Sequence, residues 1–281
     1  MGAVQTGDTL GAVSILVRVM YDPRTRIYSY KYTVANPATS TGSIDWYEVD
    51  ISRPRETASL DMDGLIIEDS APTVMVDLDY SEQESLVTAV GFPSVPRGWT
   101  VDISRGLRTI WYGEPMILPG KRLSGFIMQS KGLPAIRSAK VDPFFDVEKF
   151  PSIDDMPSDD AADSLMDYID SVRAAGPKTL KTIGPTNLSS PFNNFNFLDT
   201  IKSYINQSRS LGWISDSTTK YKYLNFMDSA KAQLGRNDNR TGRATLDSTT
   251  ANAQRDSGSV LTSEAYALIF FNVKHLIGRD R

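Results

Sequence analysis

The pattern of apolar residues changes at about residue 142, and this change limits the fold more than any other feature of the chain. Upstream of it, apolar and polar residues alternate with a period of two between frequent turns, the rhythm of β-strands. Downstream, apolar residues recur three and four apart to the end, the rhythm of helices. Two unlike modules are therefore expected, and 281 residues are enough for two cores.

In the first module, residues 12–21 form a β-branched run that ends at Asp22-Pro23-Arg24-Thr25. Proline presets φ at the second position of a turn, so this tetrapeptide predicts a hairpin. The returning strand alternates Tyr28, Tyr30, Tyr32 and Val34 on one face with Ser29, Lys31 and Thr33 on the other. Residues 43–52 read as a third strand, with Ile44, Trp46 and Glu48 on one face and Tyr47, Val49 and Ile51 on the other. Further strands are predicted at 73–79, 85–92, 98–103, 107–112, 122–130 and 134–141. Short strands with Pro and Gly between them, and no helices among them, point to an antiparallel sandwich or barrel. Trp46, Trp99 and Trp111, with Tyr47 and Tyr112, would stack on sugar rings if they lined one exposed face. Packing inside the sheets is the other reading, because large aromatics stabilise sheets by burial.

Residues 142–170 hold ten acidic side chains and one basic one, Lys149. Ser158 is a helix N-cap with Asp159 and Asp160 in the first turn, and Gly176-Pro177 stops the helix. Calcium needs several oxygens converging on one point. Asp154, Asp155, Asp159 and Asp160 are the candidate ligands, because the loop that carries the first two can wrap. The alternative is a solvated acidic face whose first-turn aspartates match the helix dipole. A third role is electrostatic. Residues 201–281 carry twelve Lys/Arg against seven Asp/Glu, so an acidic neck could dock on the helices. Exposed pairs of that kind are weak, at about 0–1 kcal/mol each.

After a connector rich in Pro, Asn and Ser over 178–196, four helices are predicted. The first begins around Leu198 and ends near Gly212, the second is capped by Ser215 or Asp216, the third is a weaker one over 241–255, and the last is capped by Thr262. The runs Leu198–Ile214, Leu224–Leu234, Leu246 and Gly258–Ile277 give this part a spacing that resembles the FIMAH-type helical modules of bacterial secreted and surface proteins. The family pattern tends to large apolar residues where this chain has Thr249 and Ala253. The resemblance implies an exported bacterial protein in an accessory role, and it implies no active site.

The chemistry the chain can carry is limited. It has no cysteine, which removes disulfides, thiolate nucleophiles and zinc fingers and suits an exported protein. Its one histidine, His275, makes a histidine triad improbable and a multi-histidine metal centre impossible within one chain. No nucleophile elbow, P-loop or dinucleotide fingerprint is present. A net charge of −4 offers no basic field for nucleic acid, and no run reaches the roughly 20 apolar residues of a membrane span. Met1 and Gly2 lead directly into folded-looking sequence, so an exported form is expected to have lost its leader.

The expected fold is α+β in two modules: an antiparallel β-sandwich over 1–141, an acidic neck with one helix and a connector over 142–196, and a small α-helical module over 197–281. The expected function is non-enzymatic binding or assembly outside the cell or at a bacterial surface. The partner would be a protein or a second copy, with the first residues adding a strand to a neighbour. A calcium-assisted carbohydrate-binding module is the alternative. A glycoside hydrolase using a pair of carboxylates is a second one, and 34 Asp/Glu leave it open without singling out a pair.

Overall fold

Strands form where the period of two runs longest. A computed structural model of the chain describes residues 9–51, 95–104, 108–188 and 191–279. The strands expected at 73–79 and 85–92, and residues 1–8, lie outside the described residues. Strand β1 (Ser14–Asp22) pairs antiparallel with β2 (Ile27–Ala35) across the predicted turn. There the Asp22 carboxylate accepts from the Arg24 amide at 2.9 Å and from the Thr25 hydroxyl at 3.0 Å. Tyr28, Tyr30, Tyr32 and Val34 are all buried, as their alternation requires. With β6 (Arg122–Ser130) these strands make, among the described residues, a three-stranded sheet in the order β1-β2-β6.

Among the described residues, the second sheet has five antiparallel strands in the order β4-β5-β3-β7-β8. They are β3 (Ile44–Asp50), β4 (Trp99–Ser104), β5 (Arg108–Ile117), β7 (Leu133–Pro143) and β8 (Lys178–Thr186). The two sheets face each other across aromatic rings. Trp111 of β5 stacks on Tyr47 of β3 at 4.8 Å and meets Tyr32 of β2 at 5.5 Å. Phe126 of β6 stands edge-on to Tyr47 and to Trp99 of β4, each at 4.9 Å. The Tyr32 hydroxyl also donates to the Ile183 carbonyl of β8 at 3.0 Å, from one sheet to the other. The fold is thus the expected α+β one, with an antiparallel sandwich first.

Two features differ from the sequence reading. Residues 178–186, expected to be connector, form β8, which pairs with β7 along its whole length. The acidic stretch is therefore an excursion between two neighbouring strands. Within it, helix α1 (Asp159–Ala175) has the predicted bounds, and the Ser158 hydroxyl accepts from the Ala161 amide at 3.3 Å. None of the residues of α1 is buried. The helix lies by the end of β7, with the Arg173 guanidinium over the Phe145 ring at 4.8 Å and Tyr168 near Phe150 at 6.2 Å.

The second difference concerns the last helix. Four helices follow β8: α2 (Asn194–Ser210), α3 (Ser217–Gly235), α4 (Asn239–Asp256) and α5 (Ser263–Arg279). Asn193, Asp216 and Asp238 cap the first three through their side chains. Thr249 and Ala253 are buried in α4, and the Thr249 hydroxyl is satisfied by the Thr245 carbonyl at 2.9 Å. Small residues at these points let helices approach closely, so α4 forms without large apolar side chains there. The ion pairs Lys202–Asp228, Lys231–Asp199 and Lys222–Asp256 tie helices of this group to one another.

Helix α5 is apolar nearly all round. Ala265, Leu268, Ile269, Phe271, Val273 and Leu276 are buried. A helix of that kind is covered on more than one side, and α5 packs on β1 and β7 as well as on α2 and α4. Phe271 stands edge-on to Tyr28 of β2 at 5.6 Å. The Asn272 amide donates to the Pro134 carbonyl of β7 at 2.9 Å. Buried apolar residues from sheets and helices consequently form one continuous cluster.

Candidate functional site

The outer face of the five-stranded sheet, opposite the aromatic core, carries the most chemistry among the described residues. Both ladders of β3 shift register between Ile44 and Trp46. An extra residue at such a bulge breaks the strict alternation. Ile44 is therefore buried with Tyr47 and Val49, and Asp45 joins Trp46 in lining one surface cleft. Trp46 lies between Tyr112 on β5 and Asp142 on β7, its direct cross-strand partners. One row along, Glu48 lies between Ile110 and Lys140.

The aromatic pair has its own electrostatic setting. Tyr112 is 44% exposed and Trp46 is half-buried. The Lys140 ammonium stands 5.4 Å from the centre of the Trp46 ring and 3.4 Å from the Asp142 carboxylate. Arg108 reaches Glu48 at 3.4 Å. A cleft of about 530 Å³ is lined by Trp46, Tyr112, Asp45, Asp102, Glu114 and Phe144 among others. It adjoins a larger one of about 1020 Å³ between the end of β7 and α1, and the two share Asp45 and Phe144. Burial raises the pKa of Asp45, and the nearby Asp142 charge adds to that rise. Burial also raises Asp142 against the lowering effect of Lys140, and it raises Glu48 against Arg108 and Lys140. Desolvated carboxylates beside aromatic rings can accept hydrogen bonds and hold a cation.

The sequence-predicted residues divide. Of the three candidate tryptophans, only Trp46 is at this surface. Trp111 is fully buried, and Trp99 is 4% exposed with its indole N–H donating to the Pro115 carbonyl at 3.1 Å. Both belong to the core, so neither offers a ring face to a sugar. The signal was the doublets Trp46-Tyr47 and Trp111-Tyr112. In a strand, one residue of each doublet points inward and the other outward. Asp154 and Asp155 lie in the short 3₁₀ turn Ile153–Asp155, and Asp159 and Asp160 lie in the first turn of α1, all exposed. Among the described residues, no group of three or more His, Cys, Asp or Glu is placed to hold a metal ion. His275 sits between the rings of Phe192 and Phe197, at 5.9 Å and 6.1 Å. Asp45 and Asp142 were missed, because only the pairing of β3 with β7 places them together.

Among the described residues, no helix is long and apolar enough to cross a membrane. No known protein family, curated protein or solved structure matches the chain.

Proposed function

We propose that this chain is a non-enzymatic binding protein of the bacterial exterior, and that it holds a glycan on the outer face of its five-stranded sheet. The observation that carries this reading is the cross-strand pair Trp46–Tyr112, standing at the surface while Tyr47, Trp99 and Trp111 fill the core. Aromatic rings left at a surface gain little from burial, yet they offer flat apolar faces with polar edges to a sugar ring. Carboxylates beside them supply hydrogen bonds that fix orientation, and clefts of several hundred Å³ are the usual size for a bound small ligand. The absence of cysteine and the FIMAH-like spacing of the last 85 or so residues support an exported, accessory role.

A glycan array with the full chain tests this, run with and without a chelator. The expected result is capture of one class of glycan in both conditions, lost in Trp46→Ala and in Tyr112→Ala. Failure of the wild-type chain to capture any glycan overturns the proposal. Capture that disappears with the chelator would move the site to an undetected cation.

A further inference from the structure

The face that carries Trp46 already holds a cation, and that cation belongs to the protein. Lys140 places its ammonium 5.4 Å from the centre of the Trp46 ring and 3.4 Å from one oxygen of Asp142. Its side chain is 40% exposed, so it can swing away without disturbing the core. The other oxygen of Asp142 is shielded from solvent and has no hydrogen-bond partner. Beside this point, the cleft under Tyr112 is lined by Asp45, Asp102 and Glu114 and by no lysine or arginine. An anionic ligand would be repelled there. A neutral one can donate hydroxyls to these carboxylates but leaves their negative charge without a counter-charge, which an ammonium supplies through stronger, charge-assisted hydrogen bonds.

We infer that the glycan taken by this face carries free amino groups, and that Lys140 is an internal stand-in for an ammonium of the ligand. This rests on the glycan reading above and adds its charge class. An amino-sugar residue stacked on Trp46 and Tyr112 puts its ammonium against the Trp46 ring and Asp142, and Lys140 moves into solvent. A ring face and a carboxylate together select a cation more sharply than either does alone. The remaining carboxylates, Asp45, Asp102 and Glu114, continue the negative surface along the cleft, so a polymer with repeated amines gains at more than one residue.

The test is titration calorimetry of the full chain with a glucosamine oligomer and with the N-acetylated oligomer of the same length. Acetylation removes the charge and leaves the ring. The free-amine oligomer should bind about tenfold tighter, a preference that shrinks as salt rises. Lys140→Ala should tighten the free-amine oligomer by roughly threefold or more, since the internal competitor is gone. Asp142→Asn should remove most of the preference, while Trp46→Ala should abolish binding of both oligomers and Trp46→Phe should keep part of it. Circular dichroism checks that each variant is folded. Equal or tighter binding of the acetylated oligomer overturns the charge assignment and leaves the glycan reading standing. Binding of neither oligomer, with capture of another glycan on the array, has the same meaning. Weaker binding by Lys140→Ala makes Lys140 a ligand contact and overturns the stand-in. A lysine oligomer that binds as tightly as the glucosamine one shows recognition of charge without sugar, and overturns the proposal.

Discussion

The Glu264 carboxylate, at the start of α5, accepts the backbone amide of Val17 at 2.7 Å in a site hidden from solvent. Val17 lies in β1, which among the described residues is an edge strand with β2 as its one ladder partner. An edge amide normally faces water or a further strand. Here a side-chain carboxylate takes the place of a neighbouring strand's carbonyl. Asn272 does the converse two turns later, donating to the Pro134 carbonyl of β7. The helices are thus fastened to the sandwich by groups that imitate backbone. Glu264→Ala would leave the Val17 amide buried and unpaired, which costs about 1–3 kcal/mol. Glu264→Gln keeps an acceptor and should lose less. Urea denaturation of the two variants beside the wild type measures the difference, and equal losses would show that the acceptor is irrelevant.

The continuous cluster of buried residues has a consequence for unfolding. Sheets and helices that share a core should lose structure together. Tryptophan fluorescence reports mainly on the sandwich, through Trp99 and Trp111, whereas far-ultraviolet circular dichroism weights the helices. The two curves are expected to coincide at one midpoint. A helical signal that melts first, with the fluorescence unchanged, would mean that α5 contributes little to the sandwich.

Most elements could be read from sequence because their causes are local. Alternation gave β2, an Asp-Pro turn gave its hairpin, and side-chain caps gave the starts of α1 and α3. Strand β8 escaped because Lys178, Lys181, Gly184 and Pro185 read as loop. It is tolerable as a strand because among the described residues it lies at a sheet edge, where a missing amide donor is harmless. The docking of α5 was visible in principle, since Leu268-Ile269-Phe270-Phe271 makes the helix apolar on more than one face. The site was half legible. Parity places Trp46 opposite Tyr47, but the bulge at Asp45 and the meeting of Asp45 with Asp142 depend on register between distant strands.

Two tryptophans of the same sheet should respond very unequally to truncation. Trp111→Ala opens a void among Tyr32, Tyr47 and Phe126 and should cost about 3–5 kcal/mol in stability. Trp46→Ala removes a surface ring and its contact with Lys140, which should cost under about 1 kcal/mol. Denaturant titration of both variants checks the contrast. A loss at Trp46 as large as that at Trp111 would make Trp46 a packing residue and weaken its assignment to ligand.

Falling and rising pH should act through different carboxylates. Hydrogen bonds hold Asp216 and Asp238 below the usual carboxylate range, chiefly from the Thr219 amide in the first and from Thr241 in the second. A lowered pKa means that the folded state binds fewer protons than the unfolded one. The stabilisation is therefore present above the ordinary carboxylate value and is lost as pH falls below it. Asp45, raised chiefly by burial, works the other way. Its contribution is full below the ordinary carboxylate value and is lost as pH rises through the range just above it. Asparagine keeps the capping geometry without titrating. Asp216→Asn should therefore flatten the acid limb of a stability-against-pH curve, and Asp45→Asn should stabilise the chain at neutral pH and less so in acid. Urea midpoints across a pH series measure both, and a gain from Asp45→Asn that is equal at every pH would show that its desolvated charge does not oppose folding.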